Sequence, residues 1–138
     1  MIMFRQIYTE RKKYSQFDDN HFILYLNEEV IEDYVPEVHN GELAPAPCTA
    51  YAYSGTERDG GTLIEAVSAS YDGFVSGLVR REYSADRVEA ITLNKLSSDN
   101  ERKAEFEAEF ACLERYRNDC KARVRALLGM PESVSNTL

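Results

Sequence analysis

The sequence is poor in the residues on which metal and redox sites depend. Among 138 residues there are three cysteines, two histidines and no tryptophan. The cysteines include no C-x-x-C pair, and His21 and His39 lie near none of them. We therefore expect no metal site and no cofactor, and we interpret the thiols as reduced, buried groups typical of a cytosolic protein. The cysteines are Cys48, Cys112 and Cys120.

Several longer patterns are also missing. No apolar run approaches the ~18–20 residues of a membrane-spanning helix, so we expect no membrane contact. The first six residues lack the basic and then apolar segments of a signal peptide. The acidic stretches lack the D-x-D-x-D-G loop of an EF-hand. The glycine-rich stretch at 59–61 lacks the G-x-x-x-x-G-K-S/T sequence of a phosphate-binding loop, which favours a turn there.

Acidic residues outnumber basic ones, and they are unevenly spread. The chain has 24 acidic and 16 basic side chains, a net charge of −8. Residues 1–66 hold five basic and twelve acidic side chains, a net charge of −7. This charge disfavours broad binding to a nucleic-acid backbone. We expect the densest acidic stretch to be a solvated strand edge and loop; its members are Glu28, Glu29, Glu32, Asp33, Glu37 and Glu42.

The first half of the chain has the pattern of β-strands. Hydrophobic residues make up 43% of the chain and aromatic ones 11%, which predicts that it folds. Extended segments are predicted at 4–8, 21–27, 49–53 and 62–67, and the glycine-rich turn at 54–61 predicts a hairpin between the last two. Pro45 and Pro47 predict an extended connector at 44–47.

The second half has the pattern of three helices. Ser70 and Ser84 are predicted N-caps of the first two. Gly73 and Gly77 lie four apart on the first helix, a spacing that allows another helix to approach closely. The apolar stripe of the first helix is Tyr71, Phe74, Val75, Leu78 and Val79, and the inward residues of the second are Val88, Ile91 and Leu96.

The third helix is predicted to be the longest, from 101 to 128, after a cap in the stretch 97–100. Gly129 and Pro131 are its stop signals. Glutamates lie in its first half and Arg and Lys in its second half. These charges oppose the helix dipole at both ends and so stabilise the helix. We expect it to pack against the 71–79 helix and against its own copy in a homo-oligomer. Its apolar face is Phe106, Phe110, Leu113, Cys120, Val124 and Leu127, with Tyr116 or Arg117 filling the gap.

These elements predict an α+β fold. A small antiparallel sheet or set of hairpins occupies residues 1–67, and a helical region with a flexible C-terminal tail occupies 68–138. Nothing singles out a nucleophile with a base or a pair of carboxylates, so we predict a protein that is not an enzyme. Tyrosine is typical of protein interfaces, and the candidate interface residues are Tyr51, Tyr53, Tyr71, Phe74, Leu78, Tyr83, Phe106, Phe110, Leu113, Tyr116 and Arg117.

Residues 51–125 carry a resemblance. The segments Y-x-Y-x-G-T-x-x-D-G-G-T-L-I-E-A at 51–66 and R-R-x-Y-S-A-D-x-x-E-A-I at 80–91 precede the acidic-to-basic helix. Together they resemble small uncharacterised proteins encoded by phages and prophages near tail-fibre and lysis genes. The C-terminal helix is similar to the end of tail-fibre assembly proteins. The resemblance implies a role among phage proteins, and the group has no known activity to carry over to this chain.

Three hypotheses follow for the function. The first is a non-enzymatic phage structural or assembly protein, either a minor tail, neck or fibre-associated component or its chaperone, in the host cytoplasm or the virion. The second is an acidic host-directed inhibitor or nucleic-acid mimic. The third is a small hydrolase or lysis factor.

Overall fold

The computed structural model describes residues 3–98 and 101–131. The α+β prediction is confirmed, with the strands first and a long helix last. The chain divides into two compact units, Met1–Leu63 and Ile64–Leu138, where the sequence suggested a boundary at 67. The elements are β1 Phe4–Tyr8, β2 Tyr14–Asp18, β3 His21–Leu24, β4 Glu29–Tyr34, β5 Cys48–Gly55, β6 Thr62–Glu65, α1 Tyr71–Glu82, α2 Ala85–Lys95 and α3 Lys103–Leu128.

The strands form two three-stranded sheets, where the sequence predicted a small antiparallel sheet or set of hairpins. Their orders are β1-β5-β4 and β2-β3-β6. The predicted hairpin between 49–53 and 62–67 is wrong, because β5 and β6 belong to different sheets. Strand β5 pairs antiparallel with β1 on one side and β4 on the other. Residues 51–55 of β5 pair with β1 and residues 48–52 pair with β4, so the neighbours of β5 in its sheet are these two strands and not β6.

Strand β5 is the centre of the first sheet and supplies its most buried side chains. Ala50, Ala52 and Tyr53 are at most 1% exposed. At the edge of the sheet, β4 has a register shift between Ile31 and Tyr34, and Asp33, within that shift, has a φ of 54°. Such a bulge on an edge strand hinders pairing with another chain. The residues from 35 to 47 form no strand or helix, in agreement with the predicted proline-containing connector.

The second sheet has its buried side chains on β3 and β6. Phe22 and Leu24 on β3 and Ile64 on β6 are at most 5% exposed. Strand β2, at the edge, is exposed at every position. Gly61, just before β6, is in direct contact with the side chain of Ile23, and a Cβ there would overlap it. The turn therefore requires glycine for close packing rather than for binding phosphate.

The helix ends follow the predicted capping chemistry in three places. The Ser70 and Ser84 hydroxyls accept hydrogen bonds of 3.1 Å from backbone N–H groups three residues later, at α1 and α2. Gly129 ends α3 in the left-handed conformation, with φ 68°. Helix α3 begins at Lys103, two residues later than predicted. The cap predicted in the stretch 97–100 is wrong, because the N-cap of α3 is Arg102 and no side chain caps it. Residues 99–100, like the tail at 132–138, lie outside the described residues.

Helix α3 packs against α1, as predicted, and also against α2. The gap in the apolar spacing of α3 is filled by the half-buried Tyr116, whereas Arg117 is exposed. Phe110, predicted in the buried face, is only half-buried, and its ring lies 5.8 Å from the Lys95 ammonium. The buried residues of α3 are Phe106, Leu113, Cys120, Val124 and Leu127.

Two further predictions for the helical unit are wrong. Leu96, expected to point inward, is 76% exposed, whereas Ile91 is buried. Gly77 permits a close approach, but not by a helix. A Cβ at Gly77 would lie 2.6 Å from the Glu65 carbonyl oxygen and 3.0 Å from Ile64 Cδ1. The small residue therefore seats α1 on the segment at the end of β6.

Candidate functional site

The candidate interface residues divide by burial. Five of them are core residues of the folded chain and do not belong to its accessible surface. These are Tyr53, Phe74, Leu78, Phe106 and Leu113. A partner that binds the folded chain would meet other side chains first.

Three of the remaining candidates, Tyr71, Tyr83 and Tyr116, are half-buried and join α1 to α3. The Tyr83 and Tyr116 rings lie 5.7 Å apart. The Tyr116 hydroxyl donates a hydrogen bond of 3.3 Å to the Leu78 carbonyl, and the Arg125 guanidinium lies 5.2 Å from the Tyr71 ring. These contacts give the tyrosines a structural role between helices. Tyr51 and Phe110 are also half-buried, and Arg117 is exposed.

The buried thiol on α3 belongs to the same packing. Cys120 is fully buried, and burial raises the pKa of its thiol. Burial, and then the neighbouring Cys120, also raise the pKa of the Tyr116 hydroxyl. A protonated, inaccessible thiol is a poor nucleophile, so Cys120 is a core residue. Cys112 is exposed and its sulfur lies 3.2 Å from Arg115 Nη2.

In the first unit, three tyrosines from three segments meet in one group, which we call the tyrosine cluster: Tyr8, Tyr25 and Tyr53. The Tyr8 and Tyr25 ring centroids are 6.3 Å apart, with the planes at 80°. Tyr53 lies 5.7 Å from Tyr25 and 6.2 Å from Tyr8. Tyr25 is edge-to-face with both of the other rings, and Tyr8 and Tyr53 are tilted by 45°. Edge-to-face contacts are favourable for aromatic rings and fix their relative orientation.

The hydroxyl groups of the cluster are hydrogen-bonded to two acidic residues. Tyr8 donates to the Asp59 carbonyl at 2.5 Å, and Tyr25 donates to the Asp59 carboxylate at 2.7 Å. Tyr53 donates to the Glu28 carboxylate at 3.3 Å. Asp59 also accepts from the Gly61 backbone N–H at 2.9 Å, so it fixes the turn as well as two of the rings.

Lys12 covers the cluster. Its ammonium nitrogen lies 4.4 Å from the Tyr8 ring centroid and 5.4 Å from that of Tyr25. Its backbone N–H donates a hydrogen bond of 2.8 Å to the Tyr53 hydroxyl. The ammonium forms no ion pair within 4.0 Å with any carboxylate of the described residues. Its contact with the rings is therefore a cation–π interaction.

The surroundings keep the hydroxyls of the cluster protonated. Burial, and then the charge of Asp59, raise the pKa of Tyr8. Burial and the hydrogen bond to Asp59 raise the pKa of Tyr25 to about 12. Burial also raises the pKa of Tyr53, against the opposing hydrogen bond from the Lys12 backbone. Neutral tyrosines keep donating to the carboxylates over the physiological pH range.

Sequence reasoning found only Tyr53 among these residues. Tyr8 lies in β1, as predicted. Tyr25 falls within the predicted extended segment 21–27 but lies just after β3, which ends at Leu24. Nothing local indicates that β1 pairs with β5. Register places Tyr8 opposite Tyr51 and brings it beside Tyr53. Lys12 and Asp59 carried no recognisable signal, because their hydrogen bonds with the cluster join residues 34 or more apart in sequence.

The acidic stretch lies where it was expected, on an exposed strand edge and the following loop. Glu29, Glu32 and Asp33 belong to β4, the edge strand of the first sheet. Two of the six acids have cationic partners: Arg5 contacts Glu29 at 3.0 Å and Arg11 contacts Glu28 at 3.1 Å. The stretch is therefore partly neutralised by its own chain.

Large apolar side chains are exposed on two elements that sequence reasoning missed. Leu93 and Leu96, at the end of α2, are 58% and 76% exposed. Phe17 and Tyr14, on the edge strand β2, are 60% and 40% exposed. A signal for Leu93 was present, because a residue two positions after the buried Ile91 points to the opposite side of a helix.

Within residues 3–98 and 101–131, no group of three or more His, Cys, Asp or Glu side chains is placed to hold a metal ion. None of the helices in that part of the chain has the length and apolarity needed to cross a membrane. In comparisons with known proteins, no family, curated protein or solved structure matches the chain.

Proposed function

We propose that this chain is a non-enzymatic phage structural or assembly protein that acts through protein–protein contacts and associates with itself. The observation that carries the proposal is the exposed leucine pair of α2, Leu93 and Leu96. Helix α2 buries Ile91 on one side and presents these leucines on another. If both leucines were buried in a contact between two chains, each Å² of apolar surface removed from water would lower the free energy by ~25 cal/mol. Burial of this surface therefore favours association.

The choice of a phage role is supported by the resemblance of residues 51–125 to phage and prophage proteins. A tail, neck or fibre-associated component, or a chaperone for one, needs surfaces for other proteins. The two exposed apolar elements, α2 and β2, meet that requirement. The host cytoplasm and the virion are the places where such a protein would act.

Light scattering on the purified chain tests self-association. The wild type is expected to have a mass of at least twice the 15.8 kDa of a single chain. The double variant Leu93→Ser, Leu96→Ser is expected to shift towards the monomer. Leu43→Ser is the matched control, because Leu43 is 95% exposed but lies outside the helices. A wild type that is monomeric at every concentration would contradict self-association.

A second candidate function is supported by the acidic edge strand β4. Its exposed Glu29, Glu32 and Asp33 would suit an inhibitor that imitates nucleic acid or docks on a basic host protein. Pull-down from host lysate at low and high salt tests this function. Capture of a basic protein that weakens steeply with salt would support it, and salt-independent capture or none would count against it.

A further inference from the structure

Tyr8 and Tyr25 form a two-walled aromatic corner, with Lys12 as its occupant. We propose that this corner is a binding site for an alkylammonium group, filled in the free chain by Lys12 and open to an external ligand when the lysine is displaced. The site is independent of the proposed assembly role. The ligand class is a quaternary or primary ammonium carried on an alkyl chain.

The geometry of the walls supports this assignment. The two rings are nearly perpendicular, at 80°, so a cation in the angle between them faces both. The Lys12 ammonium lies 4.4 Å and 5.4 Å from the ring centroids, within the ~6 Å over which the ring quadrupole attracts a cation. The Lys12 side chain therefore marks the position that an external ammonium group would take.

The corner is held in shape by groups other than the lysine side chain. Asp59 accepts a hydrogen bond from each wall, through its carbonyl and its carboxylate. Tyr53 packs within 6.2 Å of both walls and is fully buried. Removing the Lys12 ammonium leaves these contacts in place, so the corner is preorganised for a replacement.

The charge around the corner favours a cation. The Asp59 carboxylate is hydrogen-bonded to Tyr25, and Glu28 is hydrogen-bonded to Tyr53. Arg11, the residue before Lys12, is paired with Glu28 and lies over Tyr51 at 4.9 Å. The surroundings of the rings therefore carry negative charge that a bound ammonium group would partly neutralise.

Few contacts hold the Lys12 ammonium in the corner, so an external cation can take its place. Lys12 lies in the link between β1 and β2, next to exposed residues on both sides. Its ammonium makes no ion pair with a described carboxylate, so an external cation has only the ring contact to replace. A tethered group acts as a competitor at an effective concentration on the order of millimolar. Removing it should strengthen external binding.

The test uses tetramethylammonium chloride as the probe, with sodium chloride at equal ionic strength as the reference. Aromatic proton resonances of Tyr8 and Tyr25 report binding in the wild type, in Lys12→Ala and in Lys13→Ala. Lys13 is the matched control, because it is exposed and contacts the cluster only through its backbone carbonyl. We expect Lys12→Ala to bind about tenfold more tightly than the other two.

Two further variants keep the result interpretable. Tyr25→Leu in the Lys12→Ala background should abolish the response, since one wall is lost. Lys12→Gln keeps the first two methylenes of the stem without the charge, and it replaces Lys12→Ala if the latter does not fold. Equal binding by the Lys12 variant and the Lys13 control, or binding that survives Tyr25→Leu, would overturn the proposal.

The wild type offers a test that needs no substitution. The side-chain methylene protons next to the Lys12 nitrogen should resonate upfield of those of the other lysines, because they lie over aromatic rings. Tetramethylammonium should move them towards the position of a free lysine. Signals of Lys12 that already coincide with those of the other lysines would overturn the proposal.

The source of the ammonium group is distinguished by two more probes. Nα-acetyl-lysine methylamide represents a lysine side chain of another protein, and its Nε-trimethyl form represents a quaternary ammonium. Tighter binding of the first assigns the site to unmodified lysine, and tighter binding of the second assigns it to quaternary ammonium. Failure of both probes to bind Lys12→Ala would contradict the site.

Discussion

At the scale of single residues, hydrogen bonds of the tyrosine hydroxyls connect the loops of the first unit to its strands. Tyr53, in β5, joins the Lys12 backbone to the Glu28 carboxylate. Tyr25 reaches the Asp59 carboxylate in the turn before β6. Because the rings are buried while their hydroxyls are paired, each tyrosine supplies both apolar area and a specific polar contact.

Tyr53→Phe tests the contribution of one hydroxyl to the free energy of unfolding. The substitution keeps the ring but leaves the Lys12 backbone N–H without its acceptor. We expect the free energy of unfolding to fall by about 1–2 kcal/mol, measured by urea denaturation. Tyr51→Phe is the control, since the Tyr51 ring, on the same strand, contacts Arg11 through its face. A loss as large in the control would contradict a specific role for the Tyr53 hydroxyl.

The pH dependence of stability follows from the raised tyrosine pKa values. Burial and the hydrogen bond to Asp59 raise the pKa of Tyr25 from 10.0, its value in the unfolded chain, to about 12 in the folded chain. Between these pH values the unfolded state binds fewer protons, so the free energy of unfolding falls as pH rises from 10 to 12. The contribution of Tyr25 to that free energy is fully present below pH 10. Urea denaturation across this range measures the slope. Tyr25→Phe should reduce the slope, and an unchanged slope would show that other groups cause it.

At the scale of elements, α3 shows how far a helical pattern predicts burial. The expected face was largely correct, since Leu113, Cys120 and Val124 are buried. Phe110 departs from it because its position falls at the border of the α2 contact, beside the flexible Lys95 side chain. Periodicity gives the direction of a side chain around the helix, but only the neighbouring elements decide where the border lies.

Leu113→Ala and Phe110→Ala test that border. Leu113 is 3% exposed, so its truncation should cost about 2–5 kcal/mol in urea unfolding. Phe110→Ala should cost less than about 2 kcal/mol, because part of the ring already meets water. The reverse order of the two losses would mean that the faces of α3 are assigned incorrectly.

Gly77→Ala tests the contact between α1 and the segment at 64–65. Alanine favours a helix over glycine by about 1 kcal/mol, but its Cβ would overlap the Glu65 carbonyl. We expect a net loss of stability of about 1–2 kcal/mol, from the strain of overpacking. Ala122→Gly, at an exposed position of α3, measures the propensity difference alone. A stabilised Gly77→Ala variant would contradict the close approach.

The local signals were predictable, and the pairing of distant segments was not. Ser70, Ser84 and Gly129 have the predicted capping roles because a cap depends on residues within one turn. The β5–β6 hairpin failed because β5 has its two partners elsewhere in the chain, at β1 and β4. Lys12 and Asp59 escaped prediction for the same reason, since their contacts depend on sheet register.

At the scale of the whole molecule, the acidic charge belongs mainly to the β-rich part. Residues 1–66 carry a net charge of −7 out of −8 for the chain. The helical part is nearly neutral overall, with acids early in α3 and bases late. Each unit has its own exposed apolar element, β2 in the first and α2 in the second. A partner would therefore meet an acidic and a nearly neutral surface on one chain.

We propose that the chain belongs to the proteins that build a phage particle. Mass spectrometry of purified particles and of assembly intermediates from infected cells tests this proposal most directly. We expect peptides of this chain in at least one of the two fractions, at a constant ratio to a structural protein. Presence in particles indicates a component, and presence in intermediates alone indicates a chaperone. Absence from both fractions would contradict the claim.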